Sequence, residues 1–371
     1  MTERDDLVRR AHALIDALSS GERDDAARDA LLTDILAFQA RVVAPYARLA
    51  RARGARLDEA RHPDALPALP TDVFRHARVA AHAPDLDARV FLTSGTTGGP
   101  RGSHSLRDLS LYDRAARAAA RHALFPDVPR MRLVILAPDA NDAPESSLSY
   151  MLSRFAEWFG EGDTAWAFRE GRVDAARLIE ALRGPTDRDD PVALLGTSFA
   201  FAHADDVLGE TRVRLAAGSR VMQTGGFKGR TRELSRDAMH AMLRARYGVA
   251  DSHVVGEYGM TELSSQMYET SLRAPSEPRR LWVPGWMRAV PVDPETLRPV
   301  EHGAIGILRI DDVANVDTVC AVQTSDLARV VGDGIVLAGR ADDAVPRGCS
   351  LAVEEALAGS DGHSVGERRA R

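Results

Sequence analysis

Hydrophobic positions in the first sixty residues recur at helical spacing. Leu7, Ala11, Leu14, Ile15 and Leu18 fall on one stripe, and Leu31, Leu32, Ile35, Leu36 and Phe38 repeat it, with Arg and Asp alternating on the opposite faces. Pro63, Pro67 and Pro70 interrupt the pattern, so DALPALPTDVF is expected to be an extended connection. From residue 90 the texture changes. A short apolar run, a Gly- or Pro-containing loop and an amphipathic segment now follow one another repeatedly. RVFLTSGTTGG is expected to lead to a helix beginning near Leu106, and MRLVILAPDA to a helix ending near Phe159. PVALLGTS and SRVMQTGG repeat the scheme, the second running into a helix from Thr231 to Tyr247. This alternation predicts an α/β protein. GAIGILRIDD, VCAVQTSDLARVV and GIVLAGR are closely spaced strand candidates without helices between them, a small β-rich part after the alternating region. The last ten residues have the composition of a disordered tail.

Composition narrows the function classes. A length of 371 residues suits one large domain with additions, or two to three smaller units. The 44% hydrophobic content includes no apolar run of bilayer length, so no membrane span is expected. The opening MTERDDLVRRAHALIDAL has neither an apolar signal core nor a cleavage site, which points to the cytoplasm. A net charge of −6 with interspersed signs offers no basic patch for nucleic acid. Cys320 and Cys349 are too few for a disulfide framework or a thiolate zinc site. Cys320, among Val316, Val319 and Val322, reads as core. Cys349, beside Arg347 and Gly348, is evenly balanced between a small buried residue and a nucleophilic thiol. Lys228 is the only lysine among 48 strong bases, which makes it a chance survivor or a chemical requirement.

One segment is dense in chemistry. Thr93 to Gly102, TSGTTGGPRG, packs four hydroxyls and four glycines into ten positions. Small residues let backbone N–H groups converge on an anion, hydroxyls add donors, and Arg101 offers a counter-charge. Without a Lys followed by Ser or Thr it is not the loop of a P-loop NTPase. Taken alone, such a stretch is more often a flexible surface turn.

Later motifs change that balance. Thr93 to Gly102 resembles the TSGTTGxPKG phosphate signature of the adenylate-forming superfamily, and Tyr258-Gly259-Met260-Thr261-Glu262 resembles its YGxTE motif. Thr324-Ser325-Asp326 is similar to TGD, with Ser325 in place of glycine, and Gly339 to Asp343 matches the GRxDD hinge. The resemblance implies an α/β adenylate-forming core that uses ATP and Mg²⁺. It implies that Thr93, Ser94, Gly95, Thr96, Thr97, Gly98, Arg101 and Gly102 bind phosphates, and that Gly225, Gly226, Tyr258 and Gly259 wall the adenine. By the same resemblance Thr261 contacts the α-phosphate, Glu262 holds the metal, and Asp326 and Arg340 bind the ribose.

Within the superfamily the chain resembles most the LuxE-type acyl-protein synthetases, with phenylacetate-CoA ligases as more distant kin. LPTDVF, PESSLSYML, QTGGFKGR and GRADDAVPRGCSLAVEE carry that likeness from about Leu66 onward. It implies a carboxylic acid substrate, fatty in this family, activated as acyl-AMP and carried as a thioester on a cysteine near the C terminus, here Cys349. An acyl-acceptor protein or a reductase is the implied partner. The implied organisation is a helical segment at 1–89, the adenylate-forming core at 90–340, and a truncated hinge and tail at 341–371, with no room for the usual lid domain. Lys228 then becomes a candidate for the lid lysine's work, the plainer alternative being an exposed residue before a helix. Other readings remain: an acyl-CoA ligase or nucleotidyl transferase of the same superfamily, or a non-catalytic acyl- or nucleotide-binding module. His104 and His253 are weaker site candidates, and Met151, Phe155, Trp158 and Phe159 form a stripe that is core or borders an acyl pocket.

Overall fold

The computed structural model describes residues 2–94, 99–183, 190–225, 234–341 and 347–358. Three helices open it, α1 (Glu3–Ala17), α2 (Asp25–Val42) and α3 (Ala44–Ala52). Thr2 and Asp5 form a capping box at the start of α1, and Asp24 caps α2 by accepting from the Ala27 amide. Leu7, Ala11 and Ile15 are the buried stripe of α1, as their spacing predicts, whereas α2 is buried on more than one side.

The alternating region follows: β1 (Leu69–Pro70), α4 (Val73–His76), β2 (Arg89–Leu92), β3 (Ser103–Leu106), α5 (Ser110–Ala123), β4 (Arg132–Leu136), α6 (Ser147–Phe159) and β5 (Ala165–Trp166). Next come β6 (Phe168–Arg169), β7 (Arg172–Val173), α7 (Ala175–Arg183), β8 (Val192–Thr197), α8 (Ser198–Leu208), β9 (Arg220–Thr224), α9 (Arg236–Tyr247) and β10 (Val254–Tyr258). The chain closes with β11 (Met267–Glu269), β12 (Leu281–Trp282), β13 (Met287–Val292), β14 (Gly306–Asp312), β15 (Ala321–Val331), β16 (Gly334–Arg340) and α10 (Arg347–Leu357).

One sheet of twelve strands organises these elements, in the order β13-β14-β15-β16-β12-β11-β10-β9-β8-β4-β5, with β1 added in parallel on β15. The run β5-β4-β8-β9-β10 is parallel, and its strands are continuous apolar segments because helices cover both faces. At β10 the direction reverses, and the pairs from β10 to β13 are antiparallel. The β-rich C-terminal strands therefore extend the α/β sheet. Side chains local in sequence set the helix starts: Ser146, Thr197 and Ser235 cap α6, α8 and α9, and Gly248 ends α9 at φ 66°.

Two expectations are corrected. The segment after TSGTTGG is not helical at Leu106: Ser103–Leu106 is a strand paired antiparallel with β2, and the helix waits until Ser110, whose amide is held by Asp108. Leu106 is buried on that strand, so its apolar character belongs to a hairpin rather than to a helical stripe. The helix expected from Thr231 begins at Arg236, residues 226–233 lying outside those described. The disordered tail expected for the last ten residues likewise lies outside them.

The helical N-terminal segment shares one hydrophobic core with the sheet, from Leu7 through Phe155 to Ala356. Polar contacts reinforce the join. Arg4 makes two hydrogen bonds of 2.7 Å to Asp317, and Gln39, fully buried, donates to the carbonyls of Asn315 and Val316 and accepts from the Cys320 amide. Cys320 is buried and burial pushes its thiol well above the usual range, which fits the core assignment. Met151, Phe155 and Phe159 are buried as well, and Phe159 stacks on Phe125 with ring centroids 4.4 Å apart, so the α6 stripe is core. Trp158, half-buried, lies under the Arg154 guanidinium.

Candidate active site

Tyr258 and Gly225 stand at the carboxyl ends of the parallel strands β10 and β9, next to the point where the sheet changes direction, the usual place for ligands on an open α/β sheet. The candidate phosphate segment connects β2 to β3. Thr93 and Gly102 close it, with the Thr93 amide donating to the Gly102 carbonyl at 2.8 Å and the Gly102 amide donating to Thr93 Oγ1 at 2.9 Å. A side chain at Gly102 would press on Thr93 Cγ2 at 3.0 Å and on Phe74. The Arg101 guanidinium folds back onto the Thr93 and Leu92 carbonyls at 2.6 and 3.3 Å and stands 3.5 Å from Glu145. It braces the hairpin base. Gly95, Thr96, Thr97 and Gly98 lie outside the described residues, and Ser94 is engaged within the fold.

Between β10 and β11 the chain turns through Tyr258 to Glu262. Thr261 offers its carbonyl to His104 Nδ1 at 2.6 Å, and Asn315 Nδ2 donates to the Glu262 carbonyl at 2.8 Å. Glu262 is 9% exposed. Its charge is felt by Arg340, whose guanidinium is held above its ordinary pKa by the Asp326 hydrogen bond first and by Glu262 among the lesser causes. Among the described residues no group of three or more His, Cys, Asp and Glu side chains could enclose a metal ion. The Glu262 carboxylate, on a turn linked to the β2–β3 hairpin through His104, is of the donor type that fits Mg²⁺, which is commonly bound through one or two carboxylates, substrate phosphates and water.

Asp326 links three motifs. Tyr258 OH donates to Oδ2 at 2.7 Å and Arg340 Nε to Oδ1 at 2.8 Å, Arg340 being the direct cross-strand partner of Asp326 in the β15–β16 ladder. Each carboxylate oxygen keeps a further lone pair for a ribose hydroxyl. Burial, then the Asp326 charge, drive the Tyr258 phenol well above its usual pKa, so it stays a neutral donor. Thr324 shapes the irregular stretch of β15, where the register against β14 shifts, by donating to the Leu308 carbonyl and accepting from the Asp326 amide. On the other side Gly225 ends β9 at φ 71°, its carbonyl accepting from Ser198 Oγ at 2.7 Å.

Gly226 and Lys228 lie outside the described residues, so the structure is silent on them. Cys349 falls on the first turn of α10, a helix that packs against α3, β1 and α4 and is tied to α3 through Arg53–Glu355 and Arg48 Nε to the Ala356 carbonyl at 2.6 Å. His253 is at the wrong end of β10, before the strand rather than after it, and bonds Ser252. It is not brought to the site.

Several polar residues here escaped the sequence reading. Asp312, fully buried, accepts from the Ser264 and Ser265 amides and from Ser265 Oγ, which in turn accepts from Trp286 Nε1. It pins the chain just after Glu262. Glu257, immediately before Tyr258, is buried with one oxygen on the Thr224 hydroxyl, and burial pushes its carboxyl up to about 7. A side chain at Gly259 would meet that carboxylate at 2.5 Å. Because the folded pKa is raised, the native state keeps a proton that the unfolded chain releases from pH 4.5 upward, and stability falls as pH climbs to about 7. Glu257→Gln is therefore expected to leave the urea midpoint unchanged at pH 4.5 and to stabilise the protein at pH 8 by about 3 kcal/mol. Equal midpoint shifts at both pH values would contradict this.

Comparison with known proteins bears on the family and the fold. The sequence pattern of acyl-protein synthetase, LuxE, matches residues 1–358. The chain is 22% identical over 310 residues to the long-chain-fatty-acid–luciferin-component ligase of Aliivibrio fischeri, covering 79% of each, and 21% identical over 312 residues to that of Vibrio harveyi, covering 79% of this chain and 78% of the other. Among solved structures, 2-hydroxyisobutyryl-CoA ligase in an open conformation, in complex with 2-HIB-AMP and CoA, superposes with a TM-score of 0.64 at 16% identity. That superposition covers 88% of this chain and 78% of the ligase. The same enzyme in its postadenylation state gives a TM-score of 0.65 at 14% identity, covering 88% and 70%. At these identities the structural likeness establishes the fold, that of the adenylate-forming enzymes. The match along residues 1–358 goes further: this chain belongs to the LuxE acyl-protein synthetase family.

Proposed function

We propose that the chain condenses a long-chain carboxylic acid with ATP to an acyl adenylate and then moves the acyl group to a protein thiol, first its own Cys349. The observation that supports this most is the linkage of the β2–β3 hairpin, the Tyr258–Glu262 turn and the Asp326–Arg340 pair through His104–Thr261 and Tyr258–Asp326. In the first step a carboxylate oxygen bonds the α-phosphorus, the bond to the bridging oxygen breaks, and pyrophosphate leaves. In the second the thiolate adds to the acyl carbon and AMP leaves with the electron pair. The thiol proton passes to solvent.

Both reactants of the first step are anions, so catalysis is mainly the placing of donors and positive charge. Thr93, Ser94, Gly95, Thr96, Thr97, Gly98 and Gly102 grip the phosphates, with Arg101 bracing their hairpin. Thr261 meets the α-phosphate. Gly225, Gly226, Tyr258 and Gly259 wall the adenine, while Asp326 and Arg340 take the ribose. Glu262 would hold Mg²⁺, which when bound supplies positive charge to the triphosphate. Lys228 bridges the incoming carboxylate and the α-phosphate, a task for a compact ammonium rather than a planar fork. The first turn of a helix favours a thiolate, which suits Cys349 to its role. The enzyme works in the cytoplasm and passes its acyl group to a second protein, a reductase or another acceptor. The helical segment 1–89, the core 90–340 and the region 341–371 remain our division of the chain.

The test is carboxylate-dependent exchange of labelled pyrophosphate into ATP, screened over acids of graded chain length. A purely binding protein shows none. Hydroxylamine-labile acyl on the protein, lost in Cys349→Ser, is expected for the second step; acyl-CoA formed with no protein acylation would speak for a CoA ligase. Lys228→Arg is expected to lower exchange about 100-fold, equivalent to roughly 3 kcal/mol. Near-normal exchange would remove Lys228 from the mechanism.

A further inference from the structure

We propose that His104 is a positioning residue that locks the phosphate hairpin onto the Thr261–Glu262 turn through one donated hydrogen bond, from its Nδ1–H to the Thr261 carbonyl. This deepens the adenylation reading and rests on it for its functional consequence.

His104 lies two residues beyond Gly102 on β3, opposite Phe91, and its side chain is fully buried. Its two ring nitrogens have different partners. Nδ1 is 2.6 Å from the Thr261 carbonyl oxygen and Nε2 is 3.1 Å from Thr318 Oγ1. A carbonyl only accepts, so Nδ1 carries the proton. In the neutral ring Nε2 is then a bare lone pair, and the Thr318 hydroxyl donates to it. Burial drives the ring's pKa down to about 4, which keeps it neutral and the two bonds directional. Phe74 closes the remaining side edge-on, with centroids 6.2 Å apart.

The partners matter as much as the tautomer. Thr318 and Asn315 belong to one loop between β14 and β15, and Asn315 holds the Glu262 carbonyl while His104 holds the one before it. Two consecutive carbonyls of the candidate metal turn are thus fixed from two directions. Of these two bonds, the one from His104 reaches directly to the hairpin that closes around Thr93 and Gly102. Orienting groups of this kind typically alter metal affinity or activity by about 10- to 100-fold when removed.

The experiment compares His104→Leu, His104→Asn and wild type. Asn carries an amide donor near the place of Nδ1; Leu carries none. Hydrogen exchange on nucleotide-free protein is expected to rise in Leu at residues 99–106 and 258–265 together, with Asn close to wild type. Calorimetry with MgATP is expected to show affinity about tenfold weaker in Leu and largely restored in Asn. A Leu variant with unchanged exchange in 258–265 overturns the link, as does a loss of thermal stability in both variants with MgATP affinity equal to wild type. Should Leu not fold, a His104→Asn variant with raised exchange in both segments and weakened binding overturns the single-donor assignment, whereas wild-type behaviour supports it. Wild-type protein that binds no MgATP sinks the adenylation reading instead, and the exchange data still judge the contact.

Discussion

Asp311→Asn is expected to cost about 3–5 kcal/mol of folding free energy, read as a large drop in urea midpoint with an unchanged slope. Asp311 is fully buried on β14 and takes two guanidiniums, Arg288 Nη1 at 2.6 Å and Arg309 Nε at 2.8 Å. Arg309 also donates to the carbonyls of Pro63 and Leu66, and Arg288 reaches Asp64 at 2.8 Å, so this one carboxylate anchors the Pro-rich connection to the sheet. Asparagine keeps the shape and loses the charge. Two arginines would then stay buried with their shared counter-ion gone, the situation in which breaking a buried pair is most costly. A change below about 1 kcal/mol would mean that the guanidiniums reach water, and the network would have to be judged peripheral.

This network also marks where sequence reading stops. The four motifs were legible because each is contiguous in the chain. The helical stripe of α1 was legible because the helical period survives in Leu7, Ala11 and Ile15, whereas α2 is a helix as expected but buried on more than one side. Partnerships across the chain were not. His104 and Thr261 are 157 positions apart, Tyr258 and Asp326 68, and no local pattern at either end names the other. The β2–β3 hairpin was misread because four residues, Ser103–Leu106, are too short for a period to distinguish strand from helix. Nothing local in GEYGMTE marks Glu257 for burial. Its burial follows from β10 being covered on both faces inside a twelve-stranded sheet, a property of the assembled topology alone.

Glu262→Gln is expected to slow pyrophosphate exchange by 10²- to 10³-fold, about 3–4 kcal/mol in the barrier, while changing stability by less than about 1 kcal/mol. Glutamine keeps the volume of Glu262 and its backbone carbonyl, so the clamp from Asn315 persists and the turn holds its shape. What is lost is a full negative charge at the point where the hairpin, the turn and Arg340 converge. If that charge holds Mg²⁺, the variant needs far more Mg²⁺ for the same exchange rate, and its affinity for ATP in EDTA equals that of wild type. A carboxylate serving only to balance Arg340 would give the opposite signature: a Mg²⁺ dependence like that of wild type and a changed affinity for ATP without metal. Titrating Mg²⁺ against exchange, and ATP against calorimetric heat in EDTA, separates the two on one pair of proteins. Exchange within threefold of wild type at limiting Mg²⁺ would remove Glu262 from the metal site, and the nearness of the hairpin to this turn would then need another explanation than catalysis.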